Sequence, residues 1–209
     1  EKIENPKTGV FDYISFIWST AKNKQIRKYT QTNGTAETVY GLNGDNISVI
    51  HFATHGFFET RESAINLPVL KGRFSAMDLS GIVMSNGNRG WLYGSSTQHE
   101  GIITASDIAK MDLSNTSLVV LSVCDSGNGT VRYDELYGLQ RAFKKAGVKS
   151  IVMSLWSELD ESGAIFMKKF YLHLLVDNLS LIDSFNRAKN EVREQLPHPA
   201  FWANFVLID

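Results

Sequence analysis

Apolar positions along this chain fall into two kinds of run, and the two alternate. "ISVIHFAT" (47–54), "TSLVVLSVC" (116–124) and "VKSIVMSLW" (148–156) are apolar at successive positions and rich in β-branched residues. That pattern predicts strands covered on both faces. After them the spacing changes. In "DELYGLQRAFKKAG" (134–147), Leu136, Leu139 and Phe143 stand at i, i+3 and i+7, and Gly147 is placed to cap the end of an amphipathic helix. "ESGAIFMKKFYLHLLVDN" (161–178) predicts a long helix with Ile165, Phe166, Phe170 and Leu174 on one side. "SLIDSFNRAKNEVREQL" (180–196) predicts another, opened by Ser180 and stopped before Pro197. "PAFWANFVLID" (199–209) reads as a closing strand, with Trp156, Phe201, Trp202 and Phe205 as core packing.

The first half is less regular. "FDYISFIWSTAKN" (11–23) has helical spacing and "KQIRKYTQ" (24–31) reads as a short strand. Residues 59–101 are polar and rich in turn formers, with "SGIVMSNG" (80–87) and "RGWLYGS" (89–95) as short extended pieces. "TASDIAKMD" (104–112) predicts a short helix N-capped by Thr104. Strands alternating with helices predict an α/β fold, a three-layer α/β/α sandwich over a largely parallel sheet. At 209 residues the chain is long enough for one good core, and a single domain over 1–209 is the expectation, with 1–46 the least readable part. It opens on Glu1 without Met, which we read as part of something longer.

Charge and cysteine content narrow the function classes. Lys and Arg number 21 against 22 Asp and Glu, with no basic block, so neither nucleic acid nor an anionic membrane is an expected partner. The longest apolar runs are too short to span a bilayer, and no signal peptide is evident. The single cysteine, Cys124, excludes a disulfide within the chain and cysteine-rich zinc sites. It favours a reducing, cytoplasmic setting.

Chemistry concentrates at two strand ends, because ligand sites in open parallel sheets form beyond the carboxyl ends of the strands. The first strand finishes at His55-Gly56 and the second at Cys124-Asp125-Ser126-Gly127. Neighbouring strands would bring a thiol and an imidazole to one substrate, the arrangement of Cys/His nucleophilic catalysis. Taken singly, a strand-end Cys is more often a small core residue and such a His a hydrogen-bonded structural one; on spacing alone both readings stand. His51, inside the strand, reads as a buried, hydrogen-bonded supporting residue. His99, His173 and His198 lack partners at metal-ligand spacing; in "HEGII", Ile103 stands where H-E-x-x-H needs its second histidine. No metal or other cofactor is expected. No G-x-S-x-G elbow and no phosphate-binding G-x-x-x-x-G-K-[ST] loop is present.

The wording of several segments goes further. "HFATHG", "LVVLSVCDSGNG", "GLQRAFKKAGVKSIVMSLW", "FMKKFYLHLL" and "HPAFWANFVLID" resemble, in order, the CHAT domain over about residues 25–209. This is a caspase-like peptidase domain, related to separase and often attached to tetratricopeptide repeats. The resemblance implies a caspase-like fold with a mixed, mostly parallel sheet. It implies a cysteine endopeptidase acting on protein or peptide substrates, with His55 and Cys124 as the dyad and the backbone N–H groups of Gly56 and Cys124 as the oxyanion hole. It also implies regulation by an attached repeat domain or a partner. The "SVCDSG" wording departs conservatively from the family's "SACETG", and "SELDES" replaces a "VDD"-like run with Asp160 at the acidic position. Asp125, Glu158, Asp160 and Trp156 are the candidate pocket residues, an acidic pocket favouring Arg or Lys before the cut bond; as solvated loop acids they would carry no such role. The competing reading is a catalytically silent binding or scaffold module on the same fold.

Overall fold

The computed structural model describes residues 25–73, 75, 77–93, 101–125, 133–156 and 160–209, and the helix expected over 11–23 lies outside them. Six strands form one sheet: β1 Val49–Phe58, β2 Ser80–Val83, β3 Ile102–Thr104, β4 Leu118–Asp125, β5 Ser150–Ser154 and β6 Phe205–Ile208. Their order is β3-β2-β1-β4-β5-β6. β1, β4 and β5 run parallel, whereas β2 is antiparallel to both β1 and β3. The sheet is therefore mixed with a parallel centre, and the α/β class is as the sequence predicts.

Helices follow the predicted places with instructive exceptions. They are α1 Ala36–Tyr40, α2 Arg61–Ala64, α3 Gly87–Tyr93, α4 Ala105–Ile108, α5 Tyr133–Lys145, α6 Asp160–Leu175, α7 Leu181–Gln195 and α8 Pro199–Trp202. α4 begins as predicted: the Thr104 side chain accepts from the Asp107 N–H and the Asp107 carboxylate accepts from the Thr104 N–H, a reciprocal cap. Arg73 reaches the same carboxylate at 3.1 Å. Burial raises the Asp107 pKa, but the Thr104 hydrogen bond and the Arg73 charge outweigh it and hold the carboxyl below its ordinary range. α5 ends in Gly147 at φ +100°, a left-handed position that glycine takes without strain, and its N–H donates to Lys144 O.

"RGWLYGS" is helix rather than strand through Tyr93. Its form is set by docking: Trp91 meets Phe57 edge-on at 5.1 Å while Gly87 and Gly90 face inward, a tertiary contact that outweighs the glycines' poor helix propensity. Among the described residues of "KQIRKYTQ", 25–31, there is no strand; Ile26 and Tyr29 are exposed rather than covered. The chain end contributes one helical turn before β6. Phe205 is buried as predicted, but Phe201 and Trp202 are only half-buried, the Trp202 ring lying beneath Lys189 and Arg193 with its N–H donating to Pro197 O.

The described residues group into two compact parts. In the sheet part, Ile50 and Phe52 of β1, Val119 and Leu121 of β4, and Ile151 and Met153 of β5 join α1, α4 and α5 in the main core. Strand periodicity turns the intervening residues to the other face. There Phe57 joins Ala64, Leu70 and Ile102, with Val83 and Trp91 packed against them, in a smaller cluster. In the helical part, α6 and α7 pack through Phe166, Phe170 and Phe185, and Phe166 stacks on Phe205 at 4.4 Å.

Candidate active site

Strand register decides the candidate site. β1 and β4 pair in parallel from Val49↔Leu118 through Gly56↔Asp125, and within that ladder His55 is the direct partner of Cys124. The two positions lie on one face of adjacent strands, about 5 Å apart across the seam. His55 is exposed, so its imidazole is open to a ligand from solution. On its other side β2 pairs antiparallel, with His55 opposite Val83. Phe57, Val83 and Trp91 thus give that face an apolar wall beside the imidazole.

This geometry corrects one expectation. β1 does not end at His55-Gly56; it continues to Phe58, because β2 supplies a ladder to residues 55–58. Gly56 is therefore a mid-sheet residue, and the reason for glycine is packing. A Cβ there would lie 2.3 Å from Val123 Cγ1. Val123 is the residue before Cys124, so the glycine after the histidine admits the residue before the cysteine.

Hydroxyl groups flank the two positions. Thr54 donates its hydroxyl to Val83 O on β2. Ser154, buried at the end of β5, donates to Val123 O at 3.1 Å and lies 3.4 Å from Leu121 O. The sequence reading names neither. The signal was a serine closing an apolar, buried strand, where a hydroxyl must find a backbone acceptor.

His51 sits on the same face as His55, opposite Val120. Its Nε2 is shut off from solvent, and burial pushes the imidazole pKa down to about 4, so the ring is neutral at physiological pH. Of the pocket candidates, Asp125 closes β4 opposite Gly56, Trp156 is half-buried two residues past β5, and Asp160 opens α6 in the helical part. Glu158 and His99 lie outside the described residues. His198 caps α8, accepting from the Ala200 N–H. Among the described residues, no group of three or more His, Cys, Asp and Glu is arranged to hold a metal ion, and no helix is long and apolar enough to cross a membrane.

The family model described as the CHAT domain matches residues 13–209. The chain belongs to the CHAT domain family. Among curated proteins, tetratricopeptide repeat protein 28 of mouse is 36% identical over 111 residues, and that of human 32% over the same length. Each alignment covers 52% of this chain but 4% of the relative. This CHAT domain thus spans a small fraction of the curated relatives it matches, and in it His55 and Cys124 are direct register partners.

Proposed function

We propose that this CHAT domain is a cysteine endopeptidase using His55 and Cys124. The observation that carries the reading is the pairing of an exposed histidine with the chain's single cysteine across neighbouring parallel strands. In the proposed reaction the Cys124 sulfur attacks a peptide carbonyl, with its proton passing to His55. The tetrahedral oxyanion is held by the N–H groups of Gly56 and Cys124, which leave the end of the β1–β4 ladder to receive it. On collapse the C–N bond breaks, His55 protonates the departing amine, and a thioester remains. Water, deprotonated by His55, hydrolyses the thioester and regenerates the thiol. No carboxylate is needed to run this cycle. Asp125, Glu158, Asp160 and Trp156 stay the candidates for substrate recognition, with Arg or Lys as the favoured side chain before the cut bond. That the mouse and human relatives are tetratricopeptide repeat proteins supports an association with such repeats as the regulatory arrangement. The proposed setting is the cytoplasm.

The test is cleavage of peptides bearing Arg, Lys, Leu or Asp before the cut bond by wild type, Cys124→Ala and His55→Ala, with and without a repeat-containing partner. Each substitution should lower the rate by at least about 10³-fold. Cleavage that survives either one removes the dyad. Labelling of Cys124 by a peptide electrophile no faster than that of free cysteine, with no cleavage, identifies a binding module instead.

A further inference from the structure

β4 is held unequally on its two sides. Toward β1 its ladder runs through Cys124 to Asp125, but toward β5 the register stops at Leu121↔Met153. The last stretch of β4, which bears Cys124, has therefore outrun its β5 ladder. Ser154 occupies that gap, its buried hydroxyl donating to Val123 O at 3.1 Å.

That carbonyl shares a peptide plane with the Cys124 N–H. The plane is rigid and trans, so C=O and N–H point in opposite directions. Holding Val123 O toward β5 fixes the Cys124 N–H toward β1, the side that carries His55 and Gly56. Strand alternation agrees: Leu121 O, which points the same way as Val123 O, is the second oxygen near the same hydroxyl. Val123 is pinned from below as well, since its side chain fills the space that a Cβ on Gly56 would take.

We propose that Ser154 is a positioning residue for the nucleophile. Through Val123 O it orients the peptide plane that carries the Cys124 amide and fixes the direction in which that amide can donate. This role rests on the endopeptidase reading for its effect on rate, but its effect on the amide is independent of any substrate.

The experiment compares wild type, Ser154→Ala, Ser154→Cys and Ser150→Ala. Cysteine at 154 is close to isosteric with serine and a weak donor, so it covers the case in which alanine fails to fold. Ser150 is the control: it is also a serine of β5, hydrogen-bonded to Asp209 at 2.6 Å at the far end of the strand. The first readout is hydrogen exchange of the Cys124 amide. Both Ser154 variants should speed it at least about tenfold relative to Ser150→Ala, while the Ile151 amide stays protected. The second readout is peptide hydrolysis, in which kcat should fall about tenfold with KM within about twofold, since a loosened strand end misplaces the thiol in the transition state rather than weakening substrate binding. Cys124 exchange no faster than in Ser150→Ala overturns the proposal, and so does faster exchange with unchanged kcat. A wild type that cleaves none of the peptides defeats the endopeptidase reading alone, and the exchange comparison still decides whether Ser154 orients the amide.

Discussion

Two histidines in two regions of this protein meet opposite fates. His173, on α6, is buried, with Asp177 Oδ2 2.6 Å from Nδ1 and Glu191 Oε1 3.0 Å from Nε2. Glu191 is also paired with Lys169 at 2.8 Å. Burial raises the Glu191 pKa, but Lys169 and His173 outweigh it and hold the carboxyl below its usual range. Both ring nitrogens of His173 are thus committed to tying α6 to α7 and to its own last turn. His55 is exposed on a strand face, opposite a cysteine. The difference teaches that composition does not separate an imidazole locked into the structure from one left open to solvent. What separates them is whether both nitrogens are already committed to carboxylates.

The sharpest way to break that contrast is to remove each ring. His173→Ala should cost about 3 kcal/mol by leaving a cavity where the buried ring sat, a drop of about 6–12 °C in the melting temperature, with the wild-type peptide rate retained at a temperature where the variant is folded. His55→Ala should leave the melting temperature nearly unchanged and remove cleavage. Thermal melts and peptide assays on both variants check this; equal loss of stability would erase the distinction.

A smaller effect sharpens the packing side of the seam. Gly56→Ala brings its Cβ against Val123 Cγ1 and should destabilise by about 2 kcal/mol, with the double variant Gly56→Ala, Val123→Ala recovering much of the loss. Denaturant melts of the three variants measure the coupling. If Val123→Ala recovers nothing, the collision is not the reason for glycine.

The smallest concerns His51, which shares His55's face but not its exposure. Its folded pKa of about 4 lies below the model-peptide value of 6.5. The unfolded chain therefore takes up a proton first, and the stability due to neutral His51 is present above pH 6.5 and lost as pH falls toward 4. Between pH 6.5 and 5 the loss should be about 1–2 kcal/mol, and the same scan of His51→Asn should lack that part of the slope. Asp107 and Glu191, both depressed, lose their stabilisation at lower pH, as it falls from the ordinary carboxylate range through their lowered folded values.

Much of the fold was legible because β4 and β5 are buried on both faces, and such strands read as unbroken apolar runs wherever they occur; β1, expected to be covered likewise, is buried on one face and leaves Ala53 and His55 exposed on the other. The tail of β1 was not legible, and of β2 the extended segment was but its place beside β1 was not. A histidine and a glycine interrupt the apolar run at 55–56, and nothing local reveals that residues 80–83 lie alongside to continue the ladder. α3 was hidden for a related reason: seven residues with two glycines have no helical signal, and the helix exists because Trp91 finds Phe57. In the candidate site the residue types were readable, but their pairing was not, since a register belongs to two segments at once. Ser154 escaped because its role lies in a neighbour's carbonyl rather than in its own side-chain chemistry.

The β1–β4 ladder makes the facing of positions 55 and 124 a matter of counting. Side chains alternate faces residue by residue, so sliding one strand by a single position would send positions 55 and 124 to opposite sides of the sheet. No intermediate setting exists in which they half meet. A one-residue insertion between Val49 and His55, or between Leu118 and Cys124, would act like a frameshift on the site, while the same insertion before both strands would pass unnoticed.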